Sequence, residues 1–348
     1  MTSRSRLRTK SLVTFGEILL RLAPPGAERL MQAARLEVTF AGAEINTAVA
    51  AAAWGLPARF VTALPENPWA EIVAAQLCSY KVDLVSRPVP ASRLGVYFVE
   101  PGFGSRPARV IYDRAHSAFA SQRAGKYRWP ELLRGATWFH TSGITPALSL
   151  EARRVCGQAL RAARQAGLGT SFDLNYRRTL WTPGEAGRVL RQLVRGVDLL
   201  MGAEDVFTEI LGLQPAGVMD NDGRPRADAI ASLCAEVSAK YRVGSVLISL
   251  RHCEASGRLT LAAGLYTRGR LHLSRTHPLD VADRLGAGDA MGGVLLAGLQ
   301  QGVPPQRALE EAVAAAALKH TTLGDFIKTS PAEVREWLAG AQSGRISR

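Results

Sequence analysis

The sequence is short of cysteine, of lysine and of long apolar runs, and each shortage removes a class of protein. Its four cysteines, Cys78, Cys156, Cys234 and Cys253, stand far apart, with no C-x-x-C pair and no metal-ligand spacing. That excludes a disulfide scaffold and a zinc module; reduced, buried thiols suit a cytoplasmic chain. No stretch approaches the roughly 18–20 consecutive apolar residues of a membrane span. After the basic start, the apolar residues 12–15 are cut short by Gly16 and Glu17, so no signal-peptide core forms. Two common phosphate motifs are missing as well. No G-x-x-x-x-G-K-[ST] string occurs, and a G-x-G-x-x-G reading from Gly286 fails because Met291 stands at its last glycine. Asp220-Asn221-Asp222-Gly223 opens like a calcium loop but lacks the closing Glu. There are no internal repeats.

What is present is ordinary globular material with a strong positive balance. The 348 residues are 47% hydrophobic and 21% charged, enough for one large core. The net charge of +13 raises nucleic acid and acidic ligands as partners. The excess is unfocused, however: Arg4, Arg6, Arg8, Lys10, Arg345 and Arg348 lie on basic tails at 1–10 and 341–348. Only six basic residues are Lys and 37 are Arg, which with the abundant Ala reads as compositional bias. The expected partner is a small molecule, with no nucleic acid and no membrane.

Strand-like runs alternate with amphipathic or Ala-rich stretches along the chain, the pattern of an α/β protein with a mostly parallel sheet. Strands are predicted at 12–20, 58–64, 136–141, 169–174, 197–201 and 245–250, and helices at 44–54 and 68–80. Two regions, about 21–40 and 94–113, break the alternation. They hold short strand runs at 36–40, 95–100 and 109–113 without helix partners, and predict a small separate sheet, a lid inserted in a body spanning 11–340.

The most informative stretch runs from Leu279 to Gly298. A strand ends near Asp283, and Gly286, Ala287 and Gly288 precede a helix with Asp289 in its first turn. Small residues leave backbone N–H groups uncovered where the helix dipole is positive, which attracts a phosphate. Asp289 reads two ways: a helix-capping Asp, or a general base taking the proton of a hydroxyl that attacks the γ-phosphate.

With Asp283-Arg284-Leu285-Gly286-Ala287-Gly288-Asp289 and Ala41-Gly42-Ala43-Glu44-Ile45-Asn46 in place, the chain resembles the ribokinase-like (PfkB) carbohydrate kinases from about Val13 to Leu338. Three further strings resemble the keto-deoxy-gluconate branch. They are Ser142-Gly143-Ile144-Thr145-Pro146, Phe172-Asp173-Leu174-Asn175-Tyr176-Arg177, and Leu318-Lys319-His320-Thr321 with Gly324-Asp325-Phe326 after it. The resemblance implies a three-layer sandwich around a mostly parallel sheet, a small β-sheet lid, and a homo-oligomer paired through such lids. It implies ATP-dependent phosphorylation of 2-dehydro-3-deoxy-D-gluconate to its 6-phosphate, with Mg²⁺. Asp289 matches the catalytic base and Gly286, Ala287 and Gly288 the anion hole. Gly42 and Asn46 match sugar positions; Tyr97, Tyr112, Arg114, Ile144, Arg177 and Asp325 match the keto-acid pocket.

A planar guanidinium suits a carboxylate, and Asp, Asn and Tyr suit hydroxyls. Arg177 could instead pair with Asp173, and the two tyrosines could be lid packing. Asp283 matches a position beside a monovalent cation, K⁺, or simply closes a turn.

Three departures stand out. Ala41 replaces a glycine of the first signature. The usual N-x-x-E metal motif is replaced by Ala203-Glu204-Asp205-Val206, where Glu204 or Asp205 holds Mg²⁺ or merely starts a helix. The usual Gly-rich nucleotide loop is replaced by Arg251-His252-Cys253-Glu254-Ala255-Ser256-Gly257. The alternatives are another kinase of the family acting on a sugar or sugar acid, a neutral sugar needing no such pair as Arg114 and Arg177, and a non-catalytic ligand-binding relative.

Overall fold

In a computed structural model, residues 10–103, 106–253 and 258–340 are described. Most of the two basic tails (1–9 and 341–348) and residues 254–257 of the replaced nucleotide loop lie outside them. Fourteen strands are present among the described residues. They are β1 Leu12–Phe15, β2 Leu19–Ala23, β3 Glu37–Ala41, β4 Ala58–Pro65, β5 Val82–Val89, β6 Gly95–Glu100 and β7 Arg109–Asp113. They continue with β8 Trp138–Ser142, β9 Gly169–Asp173, β10 Leu199–Ala203, β11 Ser245–Cys253, β12 Leu259–Thr267, β13 Arg270–Leu273 and β14 His277–Leu279.

Ten of them form one sheet in the order β13-β12-β11-β10-β9-β8-β1-β4-β5, with β14 also paired to β12. From β11 to β5 every pairing is parallel; β12, β13 and β14 are antiparallel additions at one end. A parallel sheet needs both faces covered. Two apolar clusters do this. On one face the Ala43–Ala53, Ala287–Gln301 and Pro305–Lys319 helices pack with Ile45, Val294 and Leu309. On the other, the Leu150–Gln165, Pro183–Leu193 and Ala227–Tyr241 helices pack with Val155, Leu190 and Val237. The expected three-layer α/β sandwich is the architecture found.

The lid is a separate four-stranded sheet in the order β3-β2-β6-β7. Its inner face buries Leu19, Ala41, Tyr97 and Val99 against Leu285 of the body. The methyl group of Ala41 therefore fills a packed site, where a glycine would leave a gap.

One expected strand is corrected. Residues 12–20 are not one strand: β1 belongs to the body and β2 to the lid, so the lid begins at Leu19. The break falls at Gly16, where a Cβ would stand 2.1 Å from the Glu44 carboxylate, and at Glu17, whose carboxylate is claimed by the lid. Strand β5 has an alternating pattern and ends at the sheet edge, where Pro88 is tolerated.

Candidate active site

The loop after β14 turns sharply at Gly286 (φ +80°), where an added Cβ would meet the Asp325 carbonyl oxygen at 2.0 Å. The Ala287–Gln301 helix begins there. Ala287 N–H has only a long 3.5 Å contact to the Arg284 carbonyl, and the next helix-capping bond is Ala290 N–H to Gly286. The Gly288 and Asp289 amides are left pointing from a positive helix end, the arrangement expected of an anion hole.

Small residues bring a second helix against this one. A Cβ on Gly293 would stand 2.4 Å from the Thr47 carbonyl and 2.7 Å from Ala50, so the backbones lie close. That approach puts Asn46 beside Asp289, and Asn46 Nδ2 donates to Asp289 Oδ2 at 2.7 Å. Asn46 Oδ1 in turn accepts from Gly42 N–H at 3.3 Å, fixing which end of the amide faces the acid. Burial pushes the Asp289 carboxyl up to about 8; the nearby charge of Asp173 adds to the rise, and the Asn46 bond and Arg177 oppose it. A carboxyl poised near neutrality is suited to accept a proton.

On the lid side the arginines that face the body are paired. Arg21 of β2 reaches into the body and bonds Asp325 at 2.6 Å and Asp283 at 2.5 Å, all three buried. Tyr97 donates to the same Asp325 oxygen at 2.7 Å and stacks on Tyr112 with ring centroids 5.7 Å apart. Arg114 lies over Tyr112, and both its Nε and Nη2 donate to Glu17, at 2.9 and 2.5 Å; Ser117 donates to the other Glu17 oxygen. The charge of Arg114 is thus largely offset by Glu17.

Ile144 is carried on a turn held by Glu44, a buried carboxylate accepting from Ser142 N–H, Ser142 Oγ and Thr145 Oγ1 at 2.7–3.0 Å. Gly42, Asn46, Tyr97, Tyr112, Arg114, Ile144, Arg177, Gly286, Asp289 and Asp325 all line one cleft of about 510 Å³. The Arg177 side chain forms no hydrogen bond or ion pair with any described residue. Asp173, the alternative partner of Arg177, instead accepts from Asn175 N–H at 3.0 Å.

The cation positions come out differently. Asp283 is buried; its oxygens take Leu285 N–H, Gly324 N–H and Arg21. The wholly buried Lys319 donates to the Asp283 and Thr322 carbonyls at 3.4 and 3.2 Å. Two protein cations therefore stand beside Asp283. Glu204 turns both oxygens onto the amides of Ala216, Gly217 and Val218, which leaves it poorly disposed toward a metal. Asp205 bonds its own helix through one oxygen, to Val206 N–H, and keeps the other.

Sequence reasoning passed over Glu17, Glu44 and Lys319 as site-forming residues. Glu44 was detectable, since a charged side chain inside an otherwise apolar helix asks for a buried partner. Glu17 and Lys319 act through contacts with distant segments and carry no local signal.

The pfkB family carbohydrate kinase model matches residues 9–331. A 2-dehydro-3-deoxygalactonokinase of Haloferax volcanii is 36% identical over 97% of this chain and 99% of its own. A 2-dehydro-3-deoxygluconokinase of Thermoproteus tenax is 32% identical over 94% of each. The crystal structure of a 2-dehydro-3-deoxygluconokinase from Thermotoga maritima superposes with a TM-score of 0.88 and 38% identity, covering 95% of this chain and all of that one. The signature at the anion hole, the sheet with its lid and these likenesses across almost the full length agree, and the chain belongs to the pfkB family of carbohydrate kinases.

Proposed function

We propose that this kinase transfers the γ-phosphoryl group of ATP to the terminal hydroxyl of 2-dehydro-3-deoxy-D-gluconate, giving the 6-phosphate. The observation that carries this reading is Arg177. It is a cation without a partner among the described residues, in a cleft where the lid's own arginines are already neutralised. A sugar acid brings the carboxylate such a cation calls for; a neutral sugar does not. The names of the relatives from H. volcanii, T. tenax and T. maritima support the same class.

In this reading Asp289 takes the proton as the substrate oxygen bonds to the γ-phosphorus, and the bond from that phosphorus to the ADP oxygen breaks. The open amides of Gly288 and Asp289 meet the developing charge. Asn46 holds the acceptor oxygen of Asp289 toward the cleft. Mg²⁺, when bound with ATP, would neutralise phosphate charge, and Asp205, with one oxygen unengaged among the described residues, would be the carboxylate to hold it. No monovalent cation is part of this reading, because Arg21 and Lys319 already supply positive charge around Asp283. Cytoplasmic location belongs to the proposal too, and no described helix is long and apolar enough to cross a membrane. A homo-oligomer is supported by exposed Val38 and Ile111 on the lid strands.

The test is an ADP-release assay across keto-deoxy sugar acids of both epimeric series and neutral sugars of equal length. Turnover confined to the acids is expected; equal turnover of a neutral sugar overturns the reading.

A further inference from the structure

Strand β11 runs past its neighbour. Its last pairing with β10 is Ser249 opposite Ala203, and it continues to Cys253. Arg251 therefore stands beyond the edge of the parallel sheet, on the side where the anion-hole helix begins. Its Nη2 lies 3.8 Å from the point that a Cβ on Gly288 would occupy, which places the guanidinium beside the first turn of that helix. Its side chain makes no hydrogen bond or ion pair with any described residue, and neither does that of Arg284. Both remain accessible to solvent. Partial desolvation by the surrounding protein, and then the like charges of Arg284 and Arg177, pull the Arg251 guanidinium below its usual value, while Asp173 and Asp289 act against them. Arg251 thus feels the like charges of two neighbouring guanidinium groups beside open backbone amides, and an anion bound there relieves that repulsion.

We propose that Arg251 is a catalytic residue of phosphoryl transfer, its planar fork binding the γ-phosphoryl oxygens as they pass from ADP to the sugar acid, with Arg284 beside it. This rests on the kinase reading above. As the new O–P bond forms, the Pγ–O bond to ADP breaks and the hydroxyl proton goes to Asp289. The transferred group stays anionic throughout, so two N–H donors fixed on a strand stabilise it without moving. A glycine-rich turn at this place would offer backbone amides alone. Here a side chain supplies the charge, in a protein whose Glu204 is occupied elsewhere.

The experiment compares the full-length protein with R251M and R251K. In R251M, kcat falls about 10²-fold or more, and more than KM for ATP rises, while sugar-acid affinity by calorimetry is unchanged. R251K recovers part of the kcat. Tripolyphosphate, titrated by calorimetry, binds R251M roughly 10-fold or more weakly than the parent protein. The thermal midpoint stays the same, because no described residue loses a partner. Unchanged kcat with unchanged tripolyphosphate binding overturns the assignment, as does a kcat loss explained by a lowered midpoint. If the parent protein releases ADP with no acid or sugar, the kinase reading fails instead, and the tripolyphosphate titration still decides whether Arg251 binds phosphate.

Discussion

The two sides of the cleft handle charge in opposite ways. Under the lid, Arg21 and Arg114 are bonded to Asp325, Asp283 and Glu17, with Tyr97 joining the network. Around the anion hole, Arg177, Arg251 and Arg284 have no partners among the described residues, and Asp289 has only Asn46. The first group is finished before any ligand arrives, so its interactions count toward folding. The arginine side chains of the second are left without partners among the described residues, with Arg251 facing like charges, so its interactions are completed only by ligand. Residues of the first group should therefore reveal themselves in stability and those of the second in binding and rate.

The largest effect expected is at Asp289. D289N should lower kcat by roughly 10²- to 10⁴-fold while sugar-acid binding by calorimetry persists. The parent kcat/KM should rise with pH toward a limb near 8, the value to which burial pushes Asp289. Its stability has the opposite dependence. With the folded carboxyl raised, the native state binds the extra proton between the ordinary carboxylate range and about 8, so stability falls as pH rises through that window. The thermal midpoint of D289N should gain on the parent across the same interval. Near-native turnover of D289N would remove Asp289 from the chemistry.

Next comes the paired side. R21M strips two buried carboxylates of their partner and should cost about 3–5 kcal/mol in denaturant unfolding. R177M should leave unfolding unchanged but weaken the keto acid roughly 10- to 150-fold, with ATP affinity held. If R177M unfolds early and R21M does not, the division between the two sides is wrong. A smaller effect is expected at Asn46: N46L removes a bond that lowers the Asp289 value, so the pH limb should move upward. The smallest is no effect at all. Rates in K⁺ and Na⁺ at equal ionic strength should agree, because Arg21 and Lys319 occupy the Asp283 surroundings. A clear preference for K⁺ would show that those side chains yield the place.

Much of this was readable along the chain. The alternation of strands and helices, the lid runs at 95–100 and 109–113, and the Gly-Ala-Gly-Asp turn are local patterns. They depend on residues a few places apart, and they appear where expected. The cleft residues from Gly42 to Asp325 do meet in one place. What could not be read are the pairings across the fold. Arg114 and Glu17 are 97 positions apart, Arg21 and Asp325 are 304 apart, and no local pattern states that the lid neutralises its own arginines. The break within 12–20 was missed for a related reason. Leu19 and Leu20 continue the apolar run of β1, and only the position of Glu44 shows why the chain must turn away at Gly16.

The attachment of the lid has a mechanical consequence. Three residues, Gly16, Glu17 and Ile18, join β1 to β2, and Gly42 alone separates β3 from the Ala43–Ala53 helix. Both tethers are taut, and both touch the reacting end of the cleft: Glu17 grips Arg114, and Gly42 N–H holds the amide of Asn46. There is no slack in which the lid could swing outward by itself. A displaced lid would pull on Gly42, whose N–H bonds the Asn46 amide that in turn holds Asp289, so the placing of the acid and the placing of the lid are tied together.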